Sequence, residues 1–441
     1  MTTEVAQKKF GPVRLMPGIT VGNMFTYYFA TVTSLLLFTF LPQFQPFLLS
    51  EVLNIPEAEQ GVLSGNLQFF AEIVILVSIG GWGTLSDKLG RKLVFSLGFL
   101  LMGLSLLDYP NVESVTSLFI FRGLFALGSS AVTTMIATVI ADYAVDEDRG
   151  KASGLLGIGN GIGALLTVFV VLQLPKILIG NGMPSLDAGR YTYWALAAVA
   201  AFSAVILYIG LQNRTQTQKE QKKSILEISK EGFAAAKDPG VALAYMAAFI
   251  SRGDLAIVGT FFTLWVVTYG TAQKGMSTAD ALSMAGIIIG ISQTMALITA
   301  PIFGMFSDKM NRANAVILAV ALASFGYGST IFVSDPTSPA IFIVAALIGI
   351  GEICGVIASG VLIAQQAPRD IRGSVIGIFS LCGTFGIMTA TGIGGQLFDN
   401  WLPQGPFLLF SALGWVVVIV GLIVRKRIVP KNEGADMAVG H

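Results

Sequence analysis

Charge is scarce in this chain. Only 12% of its 441 residues are Asp, Glu, Lys or Arg, about half the usual soluble share of about 25%. A soluble protein of this length needs a far more charged surface, so soluble, disordered and nucleic-acid-binding classes are excluded. The net charge of +1 implies no polyanionic partner. Histidine is nearly absent, and the one copy is His441, the last residue. That removes a histidine metal site, a buried imidazole relay and any nucleophile–histidine pair, so the chain is not expected to be an enzyme. Cys354 and Cys382 both lie in apolar stretches, with neither a disulfide framework nor metal-ligand spacing. No metal is expected. The phosphate-cradling Gly-x-x-x-x-Gly-Lys-(Ser/Thr) run is missing, so ATP is not expected to drive the protein and no cofactor is expected. Residues 1–19 lack a continuous apolar core, which speaks against a cleavable signal peptide.

What is present is apolar. Residues of the AVILMFWYC set make up 54%, and mean hydropathy is +0.74. At about 20 apolar residues per spanning helix, this is enough for about twelve spans. Twelve apolar runs are read at 21–49, 61–84, 93–109, 114–142, 151–175, 191–211, 241–269, 279–306, 314–334, 338–366, 372–398 and 405–424. They are continuous and long rather than alternating segments of ten, which argues against a β-barrel.

Lys and Arg divide unevenly between the two sides. Twenty-two fall in segments that share a side with both termini, and only Lys176, Arg190 and Lys274 fall opposite. The positive-inside rule then places both termini in the cytoplasm, with Tyr191, Tyr193, Trp194, Tyr269 and Trp401 near the outer interface. The expected organisation is an N-terminal tail at 1–20, a six-helix half at 21–211, a polar central loop at 212–240, a second half at 241–424 and a tail at 425–441. The tails are expected to be largely disordered. Asp238-Pro239-Gly240 is read as the turn that closes the central loop.

The halves repeat. Gly83-Thr-Leu-Ser-Asp87-Lys88-Leu-Gly90-Arg91-Lys92 follows the second run, and Gly304-Met-Phe-Ser-Asp308-Lys309-Met-Asn311-Arg312 follows the eighth, 221 residues later. Asp148-Arg149-Gly150 and Ile371-Arg372-Gly373 recur at an offset of 223. Two independent matches at nearly one offset indicate internal duplication.

At Gly83–Lys92 the sequence resembles the major facilitator superfamily, whose Gly-x-x-x-Asp-(Arg/Lys)-x-Gly-Arg-(Arg/Lys) motif joins the second and third helices. Every specified position matches, and the degenerate copy falls where that family keeps it. Arg122 to Ala131 is similar to the family's fourth-helix motif, with Gly128 kept and Phe125 where Gln is common. The resemblance implies an all-α membrane fold of twelve helices in two pseudo-symmetric halves, and a secondary transporter working by alternating access. It also implies that Gly83, Asp87, Lys88, Gly90, Arg91, Lys92, Asp142, Asp308 and Arg312 form a conformational latch. A purely topological charge cluster is the alternative. One departure is plain. Drug-exporting antiporters of the family carry Gly-Pro-x-x-Gly-Gly late in helix 5, where this chain has Leu166-Thr167-Val168-Phe169.

Ionisable groups inside a bilayer need a partner, a cavity or a proton. Glu72, Arg122, Arg252, Asp254 and Glu352 all fall well inside apolar runs. Glu72, Asp254, Glu352 and Arg122 are therefore candidates for proton coupling, with protonated or ion-paired packing as the alternative. At the repeat offset Gln293 stands against Glu72, and Ser129 against Glu352. Arg252 and Asp254 are two apart, about 200° around a helix, so they do not face each other. Gly253 between them is expected to loosen the helix. Tyr27, Thr31 and Ser34 make one polar stripe on the first run. With Gln68, Arg252, Gln293, Phe262 and Trp265 they are the candidates for a substrate cavity, and polar glue between helices is the competing reading.

The leading expectation is a multi-pass plasma-membrane transporter of a small organic solute (in the inner membrane, if the cell is Gram-negative). It is expected to be monomeric, embedded in lipid and driven by the proton gradient, by antiport or symport. Export of an amphiphilic compound or metabolite is slightly favoured. Uptake of an organic anion, by symport or uniport, is the alternative. A non-transporting receptor or assembly subunit on the same fold is the competing class.

Overall fold

Twenty apolar residues in helical register satisfy every backbone group internally, which a bilayer requires. The computed structural model describes residues 8–213 and 225–431. Among them are twelve helices long and apolar enough to cross a membrane. In chain order these are span 1 (Val21–Val52), span 2 (Glu57–Leu89), span 3 (Arg91–Asn111), span 4 (Val115–Tyr143), span 5 (Asp146–Gly180) and span 6 (Ser185–Gly210). Then come span 7 (Pro239–Lys274), span 8 (Thr278–Asp308), span 9 (Arg312–Phe332), span 10 (Ala340–Gln366), span 11 (Arg369–Asn400) and span 12 (Gly405–Arg427). Several run past their apolar cores, because a helix started by a good cap continues until its backbone is stopped. Thr20 caps span 1 with a reciprocal Asn23 bond, and Ser114 caps span 4 in the same way.

The chain divides into two compact units. The first holds spans 1 and 3–6, span 2 from Phe70 onward, and Ser277–Gly286, which includes the start of span 8. The second holds spans 7 and 9–12, the rest of span 8, and Glu57–Phe69 of span 2. Within the first unit span 3 packs on spans 4 and 6, and span 1 on span 5. Within the second, span 9 packs on spans 10 and 12, and span 7 on span 11. The pairings repeat helix for helix, as the duplicated motifs predict.

Close backbone approach holds these pairs, since apolar burial gives helices little reason to associate in lipid. A Cβ on Gly98 would lie 2.9 Å from the Gly128 carbonyl oxygen, and one on Gly128 would lie 2.6 Å from that of Gly98. In the second unit Gly386 meets the Phe249 carbonyl, and Gly253 lies under the Phe410 ring. Gly253 is thus a contact residue and not a hinge. The irregular turn of span 7 is a π-helical stretch at Val258–Phe262.

Three expectations about connections change. Residues 8–20 are ordered: Lys9–Phe10 pairs with Val13–Arg14 as a short hairpin. The Arg14 backbone N–H and Nε donate to Asp148 Oδ2 at 2.9 and 2.7 Å, and Phe10 stacks on Tyr28. Asp148-Arg149-Gly150 therefore anchors this hairpin as well as opening span 5. In the central loop, Ile225–Ala234 is a helix that packs on span 11, with Tyr245 Oη donating to the Gly232 carbonyl. Asp238-Pro239-Gly240 is a helix start: Asp238 accepts from the Gly240 and Val241 N–H groups, with Pro239 in the first turn. At the far end Lys431 pairs with Asp238 at 2.7 Å. Residues 1–7, 214–224 and 432–441 lie outside the described residues, including Arg214, Lys219, Lys222 and Lys223 of the inner charge count.

Candidate functional site

The loop motif between spans 2 and 3 is built around Arg91. Gly90 ends span 2 with φ 93°, a conformation that favours glycine, and its missing side chain leaves room for Asn213. Span 3 starts at once, so Arg91 turns back over the end of span 2. Arg91 Nη1 donates to Ser86 Oγ and Asp87 Oδ1, both at 2.6 Å, and Nε donates to Asp142 Oδ2 at 3.2 Å. Arg91 and Asp142 are both buried. Lys92 lies over the Tyr208 ring at 4.7 Å. The copy after span 8 keeps only the local part. Arg312 Nη1 bonds Asp308 Oδ1 at 3.0 Å and the Ser307 carbonyl at 2.7 Å, at a more exposed site.

In the second unit three groups from three helices converge. Asp254 of span 7, Tyr327 of span 9 and Glu352 of span 10 are all buried. Tyr327 Oη donates to the Asp254 carbonyl oxygen at 2.7 Å. The Glu352 carboxyl acts electrostatically on Asp254, and both act on Tyr327. Glu352 Oε2 has no hydrogen-bond partner. Neither acid enters an ion pair among the described residues. Arg252 is exposed, as the 200° offset from Asp254 requires, and its stem lies against Gly383. Tyr327 was missed in the sequence because a lone tyrosine in an apolar run carries no signal.

In the first unit Arg122 is 3% exposed and sits against two phenols. Its charge acts on Tyr109 and Tyr193, whose rings stack at 5.6 Å. Phe40 and Phe44 meet the Tyr193 ring edge-on. Tyr193 is therefore core and not part of an outer aromatic belt, whereas Tyr191 and Trp401 are exposed.

The expected cavity stripe on span 1 is packed. Tyr27 donates to the Ile136 carbonyl at 3.0 Å, Thr31 to that of Tyr28 and Ser34 to that of Thr31. All three are buried, with Thr31 under Gly159 of span 5. Their hydroxyls serve helix packing. Phe262 and Trp265 are likewise core, in an aromatic cluster with Phe407. Glu72 is 8% exposed, and Gln68 and Gln293 are partly exposed. Asp399, which sequence reading passed over, accepts from the Gly61 and Val62 N–H groups at 2.9 and 2.6 Å.

Comparison with known proteins gives one consistent picture. A family model described as Major Facilitator Superfamily matches residues 24–357 and 283–439. Magnetosome protein MamH of Paramagnetospirillum magneticum is 25% identical over 425 residues, covering 94% of this chain and 94% of that protein. Magnetosome protein MamZ of the same organism is 25% identical over 83% of this chain, which spans 57% of that longer protein. Among solved structures, a crystal structure of the nucleoside transporter NupG superposes with a TM-score of 0.72 at 15% identity, covering 91% of this chain and 99% of that one.

Proposed function

The chain belongs to the major facilitator superfamily and is a multi-pass integral membrane protein of transporter fold, and we propose that it moves a small amphiphilic compound or metabolite out of the cell by proton-coupled alternating access. The observation that carries the coupling is the buried pair Asp254 and Glu352 beside Tyr327. Two carboxyls within reach of each other at hydrocarbon depth cannot both stay ionised without a compensating charge. A proton on the pair supplies that balance. Releasing it leaves a net charge that favours a different arrangement of spans 7, 9 and 10. Tyr327 holds the span 7 backbone beside the pair, so it acts as a positioning residue. Glu72, buried in the first unit, is the second candidate for a titrating group. The energy source is then the proton gradient, with no bound cofactor. The short loop motif, with Arg91 tied to Asp142, is the latch that stabilises one conformational state.

Uptake of an organic anion is the second reading, and exposed Arg252 two residues from Asp254 is what favours it. A thermal-stability screen of the purified protein, with amphiphiles and organic anions at mildly acidic and neutral pH, separates the two. A ligand that binds the folded state raises the apparent melting midpoint by mass action. The hit is then tested in proteoliposomes under an imposed pH gradient. Asp254→Asn and Glu352→Gln are expected to abolish gradient-driven accumulation while keeping substrate exchange. Accumulation that survives both substitutions and Glu72→Gln as well would sink the proton-coupling reading. Anions alone as hits would replace export of an amphiphile with the second reading.

A further inference from the structure

The loop motif places three cations at the inner end of spans 2 and 3, and two are engaged. Arg91 holds Asp87 and Asp142, and Lys92 covers Tyr208. Lys88 enters no ion pair among the described residues and is exposed. It stands at the end of a groove of about 380 Å³ between spans 2 and 4, lined by Ser78, Gly81, Trp82, Leu85 and Leu127 as well as Lys88 itself. Apart from Lys88 and the Trp82 N–H, the groove wall is apolar except at Ser78 and Thr84, whose hydroxyls are bonded back to the Val74 and Gly81 carbonyls at 2.7 and 2.8 Å. Trp82 is 9% exposed, yet its indole N–H has no hydrogen-bond partner. A buried indole N–H normally finds an acceptor. Further along the same helix, Ile73, Leu76 and Val77 are exposed, Val77 to 78%. An exposed apolar face of this kind on a spanning helix suits contact with acyl chains.

A cation at the end of an apolar furrow, with an indole donor in its wall, matches one amphiphile. We propose that this groove binds an anionic phospholipid, with the phosphate on Lys88, a glycerol-ester carbonyl accepting from Trp82 Nε1–H, and an acyl chain against Leu85 and Leu127. Juxtamembrane lysines attract anionic headgroups, and tryptophan favours the interface where its ring is dry and its N–H is paired. Lipid bound there rests on the helix that carries the Asp87–Arg91 contact. The site thus couples lipid charge to the stability of that loop.

The test uses the full-length protein, delipidated in neutral detergent. Phosphatidylglycerol or phosphatidylcholine with identical chains is added, and lipid adducts are counted by native mass spectrometry alongside the melting midpoint. Phosphatidylglycerol is expected to be retained and to raise the midpoint more than phosphatidylcholine. Lys88→Gln should cut its retention about fivefold, the effect of one lysine near a headgroup. Trp82→Phe, which keeps the ring and deletes the N–H, should weaken both lipids. Leu127→Trp, which fills the groove, should remove the preference. Lys92→Gln is the control, since its ammonium already lies on Tyr208. Equal retention of the two lipids by the wild type would overturn the proposal. So would an equal loss in Lys92→Gln and Lys88→Gln, which would mean diffuse surface charge. Lys88 is exposed, so Lys88→Gln still decides the matter if Leu127→Trp fails to fold.

Discussion

Arg91 and Arg312 occupy equivalent places in the repeat, but their surroundings differ. Arg91 bonds a carboxylate on span 4 that is buried with it, whereas Arg312 bonds an exposed carboxylate one helical turn away. Breaking a buried pair strands a charge and costs about 3–5 kcal/mol, against about 0–1 kcal/mol for an exposed one. Arg91→Ala is therefore expected to lower the melting midpoint far more than Arg312→Ala, and equal shifts would contradict the asymmetry. Asp335 supplies a pH signature between spans 9 and 10. Burial acts to raise its carboxyl, but hydrogen bonds from Lys274 and Thr337 prevail and hold it below the usual carboxylate range. A carboxyl depressed on folding adds stability that is complete above its unfolded value of about 3.9 and is lost as pH falls through the folded value. Lys274→Gln should thus cost little near neutrality, under about 1 kcal/mol for so exposed a pair. It should also flatten the acid limb of stability below about pH 4. Unfolding followed from neutral to acid pH reads both. Arg91 was legible because its motif is contiguous. The aromatic nest around Arg122 was not, because Tyr109 and Tyr193 come from other helices.

At the scale of elements, crossings depend on residues with no side chain. Gly253 and Gly386 let span 7 lie directly on span 11, where Phe249 and Phe410 close the contact. Overfilling such a crossing costs about 1–3 kcal/mol or more. Gly386→Leu is expected to reduce folded yield and melting midpoint, whereas Gly377→Leu, at a position with open space around it, should do neither. If both variants melt like the wild type, the crossing is not what holds the pair. The segments before spans 1 and 7 play corresponding parts. The hairpin at Lys9–Arg14 straps the start of span 5, and the helix Ile225–Ala234 straps the start of span 11, where Ser374 donates to Glu231. The helix strap is amphipathic in sequence, but the hairpin does not show in hydropathy. A two-residue strand lacks periodicity, and Arg14 finds Asp148 only across 134 residues of chain.

For the whole molecule, the charge asymmetry predicts sidedness. With both termini cytoplasmic, a cysteine at Asn181 should react with a membrane-impermeant maleimide in intact cells, and one at Lys8 only after permeabilisation. Both positions are exposed, so reach and not burial decides the result. Labelling of Lys8→Cys in intact cells would reverse the orientation. Native Cys354 is buried and Cys382 partly so, and replacing both with alanine removes their background.

The linear chain determined its solvent, its count of spans and its twofold repeat. These follow from composition, run length and contiguous motifs, which need no partner in space. It also carried the five intramembrane ionisable residues, because a charge in an apolar run stands out. The tertiary structure decided where those residues stand and what surrounds them. It set Asp254 beside Glu352 and under Tyr327, left Arg252 exposed, closed Arg122 in phenols, and put Tyr27, Thr31, Ser34, Phe262 and Trp265 into packing. Periodicity tells which residues share a helix face. Which face meets which neighbour is fixed by helix crossings, and those depend on the missing side chains of glycines far apart in the chain.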